Sequence, residues 1–145
     1  MKLVIFKETK IRLPAKRLRK LFELITEEEG DPEWQSLVNV VFITDSKIRR
    51  LNREYLGRDQ TTDVMSFNLD SPGEKEGVFG EIYISAGTAL RQASRYGGAL
   101  SEELLHLFCH GLLHLFGYDH VGKRQASLME PREQYYLNRL EESAK

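Results

Sequence analysis

Four histidines lie within one short stretch near the C-terminal end of the chain, and imidazole side chains are common metal ligands. His106, His110 and His114 recur at intervals of four residues, and His120 follows six residues later. On an α-helix, residues four apart stand one turn apart, so the first three project toward nearly one side. Two such imidazoles can bind one metal ion, and a third ligand from elsewhere completes a catalytic zinc site with one open position.

Distance decides which histidines can share one ion. His106 and His114 are eight residues apart, which is about 12 Å of axial rise in an α-helix, whereas a zinc–nitrogen bond measures about 2 Å. Gly117 follows the helical stretch, and a glycine allows a left-handed turn that returns the chain toward the same face. We therefore predict one Zn²⁺ per chain, held by His110, His114 and His120. His106 is left to support a ligand or to pack beside the site.

The spacing His-x-x-x-His-x-x-Gly-x-x-His is that of the metzincin peptidases, which carry a glutamate directly after the first histidine as general base. In this chain Gly111 follows His110. Without that carboxylate the peptidase mechanism lacks its proton acceptor, so water must lose its proton elsewhere or become acidic through the metal alone. A metal-dependent hydrolase of another substrate is therefore favoured, and a metallopeptidase is the alternative.

The elements that must position these residues follow from hydrophobic patterning. Apolar, β-branched runs predict four strands, at residues 3–6, 37–43, 64–69 and 78–84. Helical spacing predicts five helices, with start signals at Pro14, Thr44 or Asp45, Ser85, Ser101 and Pro131. The order βαβαββααα indicates the α+β class, with a small mixed sheet of about four strands covered by helices.

Length and composition indicate one domain over residues 1–145, because the chain has the usual size and apolar content of a single globular unit. The apolar run at residues 3–6 is too short for a signal peptide or a membrane span. The single cysteine, Cys109, cannot form an intrachain disulfide, which fits a reducing compartment. On a helix it points about 100° away from His110, so we interpret it as apolar packing. We expect a cytoplasmic protein with no membrane contact.

Three motifs of this sequence resemble those of the YbeY family of bacterial metallo-endoribonucleases. The stretch HLFCHGLLHLFGYDH at 106–120 resembles the family's histidine signature, which is highly specific. The stretch TDVMSF at 62–67, preceded by Leu51-Asn52, resembles a second motif, and GEIYIS at 80–85 resembles a third, weaker one. The motifs span residues 51 to 120, and chain length and element order agree with the family over the remainder.

The resemblance implies a single-strand-specific, zinc-dependent endoribonuclease that acts in 16S rRNA 3′ end maturation and ribosome quality control. It also implies zinc on the three matched histidines, a cytoplasmic location and single-stranded or ribosomal RNA as substrate, with ribosome association and no DNA partner. A non-catalytic RNA-binding module stabilised by zinc is the remaining alternative. Structural zinc is usually closed by four protein ligands, so Cys109 or His106 as a fourth ligand would favour that alternative.

One departure from the family concerns an arginine implicated in activity. Family members carry it after the tyrosine of Leu-Asn-x-x-Tyr-Arg-Gly, where this chain has Leu56 after Tyr55. Arg58 lies two positions later, and we predict that its guanidinium takes over the stabilisation of charge on the phosphate. No catalytic role is assigned to Asp119, which adjoins a ligand and can orient a histidine, or to Asp63, which can cap a turn.

Charge is distributed unevenly, although the net charge of −1 gives no overall reason to expect a polyanionic partner. A first basic cluster has seven Lys or Arg residues between Lys7 and Lys20, against one acidic residue. A second basic cluster comprises Lys47, Arg49, Arg50, Arg53 and Arg58. Either cluster can follow a phosphate backbone, and together with the resemblance they predict contact with RNA.

Overall fold

The computed structural model describes residues 1–69, 77–118 and 123–144. It contains the nine elements in the order that the sequence predicts. In chain order they are β1 (Lys2–Lys7), α1 (Ala15–Glu29), β2 (Leu37–Ile43), α2 (Asp45–Leu56), β3 (Val64–Asn68), β4 (Val78–Ser85), α3 (Ala86–Arg95), α4 (Leu100–Leu115) and α5 (Lys123–Ser143).

The four strands form one mixed sheet in the order β1-β2-β4-β3. Strands β1, β2 and β4 run parallel, and β3 pairs antiparallel with β4. Parallel neighbours need long crossover connections, which α1 supplies between β1 and β2. In the centre of the sheet, Val40 pairs with Ile5 on one side and with Ile82 on the other. The prediction of an α+β fold with a four-stranded mixed sheet is confirmed.

Alternating side chains of β2 divide the interior into two hydrophobic clusters, as expected because successive residues of a strand face opposite sides. Val40 and Phe42 belong to the larger cluster, which also contains buried residues of α1, α4 and α5. Val41 and Ile43 pack with Ile48 of α2 in the smaller cluster. Helix α4 is therefore fixed between the sheet and α5, and its position is set by the core.

Helix ends follow the sequence signals at α2 but not at α4 or α5. Thr44 caps α2 as predicted, since its Oγ1 accepts a hydrogen bond from the Lys47 N–H at 3.3 Å. The prediction that Ser101 caps α4 is wrong. The N–H of Glu103 donates to the carbonyl of Ala99 at 3.2 Å, and the helix already includes Leu100.

The last helix begins well before Pro131, so the prediction that this proline lies near its start is also wrong. Pro131 lies inside α5, although proline removes one hydrogen bond from a helix interior. Packing explains the longer helix, because Met129, before the proline, is as deeply buried as Tyr136 and Leu140 after it. None of the helices in the described part of the chain has the length and apolar content that crossing a bilayer requires.

Candidate active site

Helix α4 places two of the predicted ligands side by side. The Nε2 atoms of His110 and His114 are 3.1 Å apart, and their ring centroids are 4.6 Å apart at an interplanar angle of 77°. Two nitrogens bound to one tetrahedral zinc at about 2.0–2.1 Å lie about 3.3 Å from each other. The two imidazoles therefore already have the spacing that a shared metal ion requires, and their donor set fits zinc.

The third predicted ligand, His120, lies outside the described residues, as does Asp119. The turn that leads toward them is described: Gly117 has φ 97°, and the Tyr118 N–H donates to the carbonyl of Leu113 at 3.1 Å. The left-handed turn predicted at this glycine is confirmed. Within residues 1–69, 77–118 and 123–144, no three His, Cys, Asp or Glu side chains are grouped to hold a metal, so the complete ligand set stays a prediction.

Helix α5 contributes a carboxylate that the sequence reasoning missed. Glu133 Oε1 lies 2.5 Å from His110 Nδ1, and its Oε2 lies 3.4 Å from His106 Nε2. Glu133 sits on the buried side of α5, in line with Met129 and Tyr136. A charged residue at apolar helical spacing is the signal that could have drawn attention to it, because buried charges are normally paired.

The electrostatics of this contact favour an ionised carboxylate. Burial raises the pKa of Glu133, but hydrogen bonds from His106 and His110 outweigh burial and hold that pKa at about 2. In return, the Glu133 carboxylate raises the pKa of His106 above its usual value. His110 Nδ1 therefore acts as a donor toward Glu133, and His106 Nε2 lies within ion-pair distance of the same carboxylate. The exclusion of His106 from the ligand set stays a prediction.

Cys109 is buried within the larger hydrophobic cluster, which confirms its interpretation as apolar packing. Its Sγ lies 3.9 Å from the carbonyl oxygen of Glu133. Burial raises the pKa of the thiol well above its usual value, and the thiolate is the form that binds metals. Among the described residues, Cys109 is not grouped with His110 and His114 to hold a metal.

Gly111 faces the sheet, at a point where α4 approaches β3 and β4 closely. A Cβ atom at this position would lie 2.7 Å from Ile82 Cγ2 and 3.0 Å from Ser66 Oγ. The Ser66 hydroxyl donates to the Gly111 carbonyl at 2.9 Å. A glutamate has no room here without displacing the strand. This position, which holds the general base of a metzincin, therefore cannot accommodate a glutamate in this structure.

His110 and His114 also line a cleft of about 660 Å³ between α4, β3 and the loop after α2, which we call the β3 cleft. Leu56 and Arg58 line the same cleft. Between them, Gly57 ends α2 in the left-handed conformation, with φ 69°. Leu56, at the position that the resemblance assigns to an arginine, therefore borders the cleft. Arg58 borders it as well, so the structure brings Arg58 to the same cleft as the histidine pair.

The loop that carries Arg58 is held by Asn52, a buried residue of α2. The Asn52 carbonyl accepts from the Arg58 N–H at 3.3 Å, and its Nδ2 donates to the Gln60 carbonyl at 2.9 Å. At the other end of the loop, Asp63 Oδ1 accepts from the Val64 N–H at 2.8 Å. The Asp63 carboxylate is therefore held at the start of β3, where its other oxygen also accepts from Gln92 Nε2 at 3.4 Å.

A second cleft, of about 600 Å³, lies on the other side of His110 between α4 and α5, and we call it the α5 cleft. His106, Glu133, Met129 and Leu137 line it, and Asp63 and His110 border both clefts.

The two basic clusters lie at different distances from the histidines. In the first cluster, Arg17 pairs with Glu102 at 2.7 Å. Glu102 lies eight positions before His110 on α4, which is about 12 Å of helix. In the second cluster, Arg58 lines the β3 cleft, whereas the four residues on α2 line a neighbouring cleft with Thr61: Lys47, Arg49, Arg50 and Arg53. Some of its charge is already paired, since Arg49 and Arg53 contact Asp59 at 2.9 and 3.7 Å. The second cluster therefore reaches this site through Arg58.

Comparison with known proteins identifies close relatives over nearly the whole chain. A family model described as Endoribonuclease YbeY matches residues 4–141. An Endoribonuclease YbeY of Heliobacterium modesticaldum is 41% identical over 131 residues, covering 83% of this chain and 79% of the relative. One of Chlorobaculum tepidum is 36% identical over 140 residues, covering 97% and 98%. The solution structure of TM1509 from Thermotoga maritima superposes with a TM-score of 0.64 at 31% identity, covering 95% of this chain and 88% of that one.

Proposed function

The chain belongs to the endoribonuclease YbeY family, and we propose that its activity depends on one zinc ion held by His110, His114 and His120. The observation that carries the proposal is the 3.1 Å separation of the Nε2 atoms of His110 and His114. Both imidazoles border the β3 cleft, so a metal ion between them is accessible to a substrate that enters there.

The proposed chemistry is hydrolysis of a phosphodiester bond. A zinc ion bound at this position supplies a Lewis acid that increases the acidity of water and polarises a phosphate oxygen. Arg58 brings a positive charge into the same cleft, where its guanidinium can donate to the phosphate oxygens as negative charge develops on them. Among the described residues, no ion pair involving Arg58 competes with that contact.

Single-stranded RNA is the substrate that the surroundings of the cleft favour. Tyr55 is 65% exposed, and its ring lies 5.5 Å from that of Phe67 in an edge contact. Phe67 lines the β3 cleft. Unpaired bases can stack on exposed aromatic rings, whereas the bases of a duplex are already stacked on each other. Four residues of the second basic cluster lie on the same helix as Tyr55 and can follow the phosphate backbone: Lys47, Arg49, Arg50 and Arg53.

The physiological role that we propose is 16S rRNA 3′ end maturation and ribosome quality control, in the cytoplasm and in association with ribosomes. The support for this finer assignment is the resemblance of the three motifs to the YbeY family. No DNA substrate and no membrane partner are proposed.

Cleavage assays with matched substrates test the proposed function. The zinc-loaded protein is incubated with a single-stranded RNA, with its duplex form and with single-stranded DNA of the same sequence. We expect cleavage of the single-stranded RNA alone, loss of cleavage with a chelator, and recovery when zinc is restored. Cleavage of an unstructured protein such as casein without cleavage of RNA would favour the metallopeptidase. RNA cleavage that is insensitive to the chelator would contradict the metal dependence.

A further inference from the structure

Among the described residues, Glu133 is the only acidic residue that is buried, with 6% exposure. It occupies an apolar side of α5 between Met129 and Tyr136, both of them buried. A buried carboxylate is costly unless it is paired and hydrogen-bonded. A leucine at this position would satisfy the packing without that cost, so packing alone does not account for a glutamate.

The pairing that Glu133 makes is directed at two residues of α4. One carboxylate oxygen contacts His110 Nδ1 at 2.5 Å, and the other contacts His106 Nε2 at 3.4 Å. An ionised carboxylate can only accept hydrogen bonds, so His110 must carry a proton on Nδ1. The opposite ring nitrogen, Nε2, is the atom directed at His114.

We propose that Glu133 is a positioning residue that holds His110 in the Nδ1–H tautomer and aims its Nε2 lone pair at the metal position. This inference rests on the proposed function, because a metal ligand must present an unprotonated nitrogen. Carboxylates that accept a hydrogen bond from the remote nitrogen of a ligating histidine fix both its tautomer and its ring orientation.

His106 restrains the carboxylate of Glu133 in the same arrangement. Its contact with Oε2 of Glu133 restrains rotation of the carboxylate, so that Oε1 remains directed at His110. His106 and His110 are one helical turn apart on α4, which matches the reach of a single carboxylate bridging their rings. The regular four-residue spacing thus provides one pair of histidines for the metal and an overlapping pair for the carboxylate.

The test compares Glu133→Leu and Glu133→Gln with wild type, and uses Glu130→Gln as a matched control. Glu130 is exposed on the same helix and lines the same α5 cleft, but it contacts neither histidine in the described structure. The tautomer of His110 is determined by NMR, from the nitrogen-15 chemical shifts of its imidazole in the metal-free protein. Zinc affinity is measured by competition with a chromophoric chelator, and thermal unfolding checks the fold of each variant.

We expect wild type and Glu130→Gln to show the Nδ1–H tautomer of His110. We expect Glu133→Leu to populate the Nε2–H form and to bind zinc about 10–100-fold more weakly, while it unfolds at a similar or higher temperature. If that replacement lowers stability too far, Glu133→Gln provides the same two readouts in a side chain of nearly the same shape.

An unchanged tautomer together with an unchanged zinc affinity in both Glu133 variants would overturn the assignment of Glu133. A wild-type protein that binds no zinc but shows the Nδ1–H tautomer, lost in Glu133→Leu, would contradict the proposed function and support the positioning. The failure of one inference is therefore distinguishable from the failure of the other.

Discussion

The β3 cleft and the α5 cleft meet at His110, but they differ in whether their charged groups are paired with each other. In the α5 cleft, the two oxygens of Glu133 are directed at His106 and His110. In the β3 cleft, the described structure contains no ion pair for Arg58, and His114 directs its Nε2 toward His110. A cleft whose charges satisfy each other holds a residue in place, whereas a cleft with an available cation is suited to binding a ligand from outside.

The walls of the two clefts are also held by different forces. On the β3 side, the Ser66 hydroxyl and the Asn68 amide donate to the Gly111 and Leu115 carbonyls of α4, at 2.9 and 3.0 Å. On the α5 side, buried apolar residues, including Met129, pack between the helices. Directional hydrogen bonds fix the distance between α4 and β3, which determines the width of the cleft proposed to bind substrate.

The largest expected difference between the clefts is in metal binding. We expect His114→Ala to lose bound zinc and to reduce RNA cleavage on the order of a thousandfold, because several kcal/mol of transition-state stabilisation disappear with the metal. We expect His106→Ala to retain one zinc per chain when zinc is saturating. Elemental analysis of the purified variants and cleavage rates provide the measurement, and full zinc content in His114→Ala would refute the ligand assignment.

A smaller effect is expected from the cation of the β3 cleft. Arg58→Ala should lower kcat by about 100-fold or more, the usual cost of removing one donor to transition-state charge, while zinc content and melting temperature remain unchanged. Arg58→Lys should recover part of the loss. Arg95→Ala is the control, since Arg95 is exposed at the end of α3. Equal cleavage rates for Arg58→Ala and Arg95→Ala would show that Arg58 is a solvated loop residue with no role in stabilising charge on the phosphate.

The smallest expected effect concerns the contact of α4 with β3 and β4. Gly111→Ala places a Cβ atom 2.7 Å from Ile82 Cγ2, and overpacking costs about 1–3 kcal/mol, against a gain of about 1 kcal/mol in helix propensity. We expect the free energy of unfolding to fall by about 1 kcal/mol in denaturant titrations.

The matched control for that contact is Gly98→Ala, because Gly98 has no atom within 4 Å of the added Cβ. Its unfolding free energy should change by less than about 0.5 kcal/mol. A Gly111→Ala protein that is more stable than wild type would mean that the side chains of β3 and β4 facing Gly111 move aside readily, and that the width of the β3 cleft is not set by this contact.

The pattern of apolar residues along the chain predicted most of the fold, because the burial of each strand determines its composition. The run at residues 37–43 is apolar except for Asn39, because β2 lies between two other strands and is covered on both faces. The errors arose where packing competes with end signals. Ser101 and Pro131 are both typical of helix starts, but the buried Met129 extends α5 beyond its proline.

The site was predictable only as far as its residues are close in sequence. His110 and His114 are four residues apart on one helix, so their proximity follows from helical geometry. Glu133 reaches His110 across 23 positions, and periodicity specifies which side of α5 is buried but not which residue of α4 that side meets. For Arg58 the sequence indicated a shifted arginine, whereas its place in the β3 cleft depends on the left-handed turn at Gly57.

Anomalous diffraction at the zinc edge, from crystals grown with zinc, tests the central claim most directly. The account predicts one anomalous peak per chain, about 2.0–2.1 Å from the Nε2 atoms of His110 and His114, with His120 as the third protein ligand and one position open toward the β3 cleft. A peak closed by a fourth protein ligand such as His106 or Cys109, or no peak at the histidine pair, would contradict it.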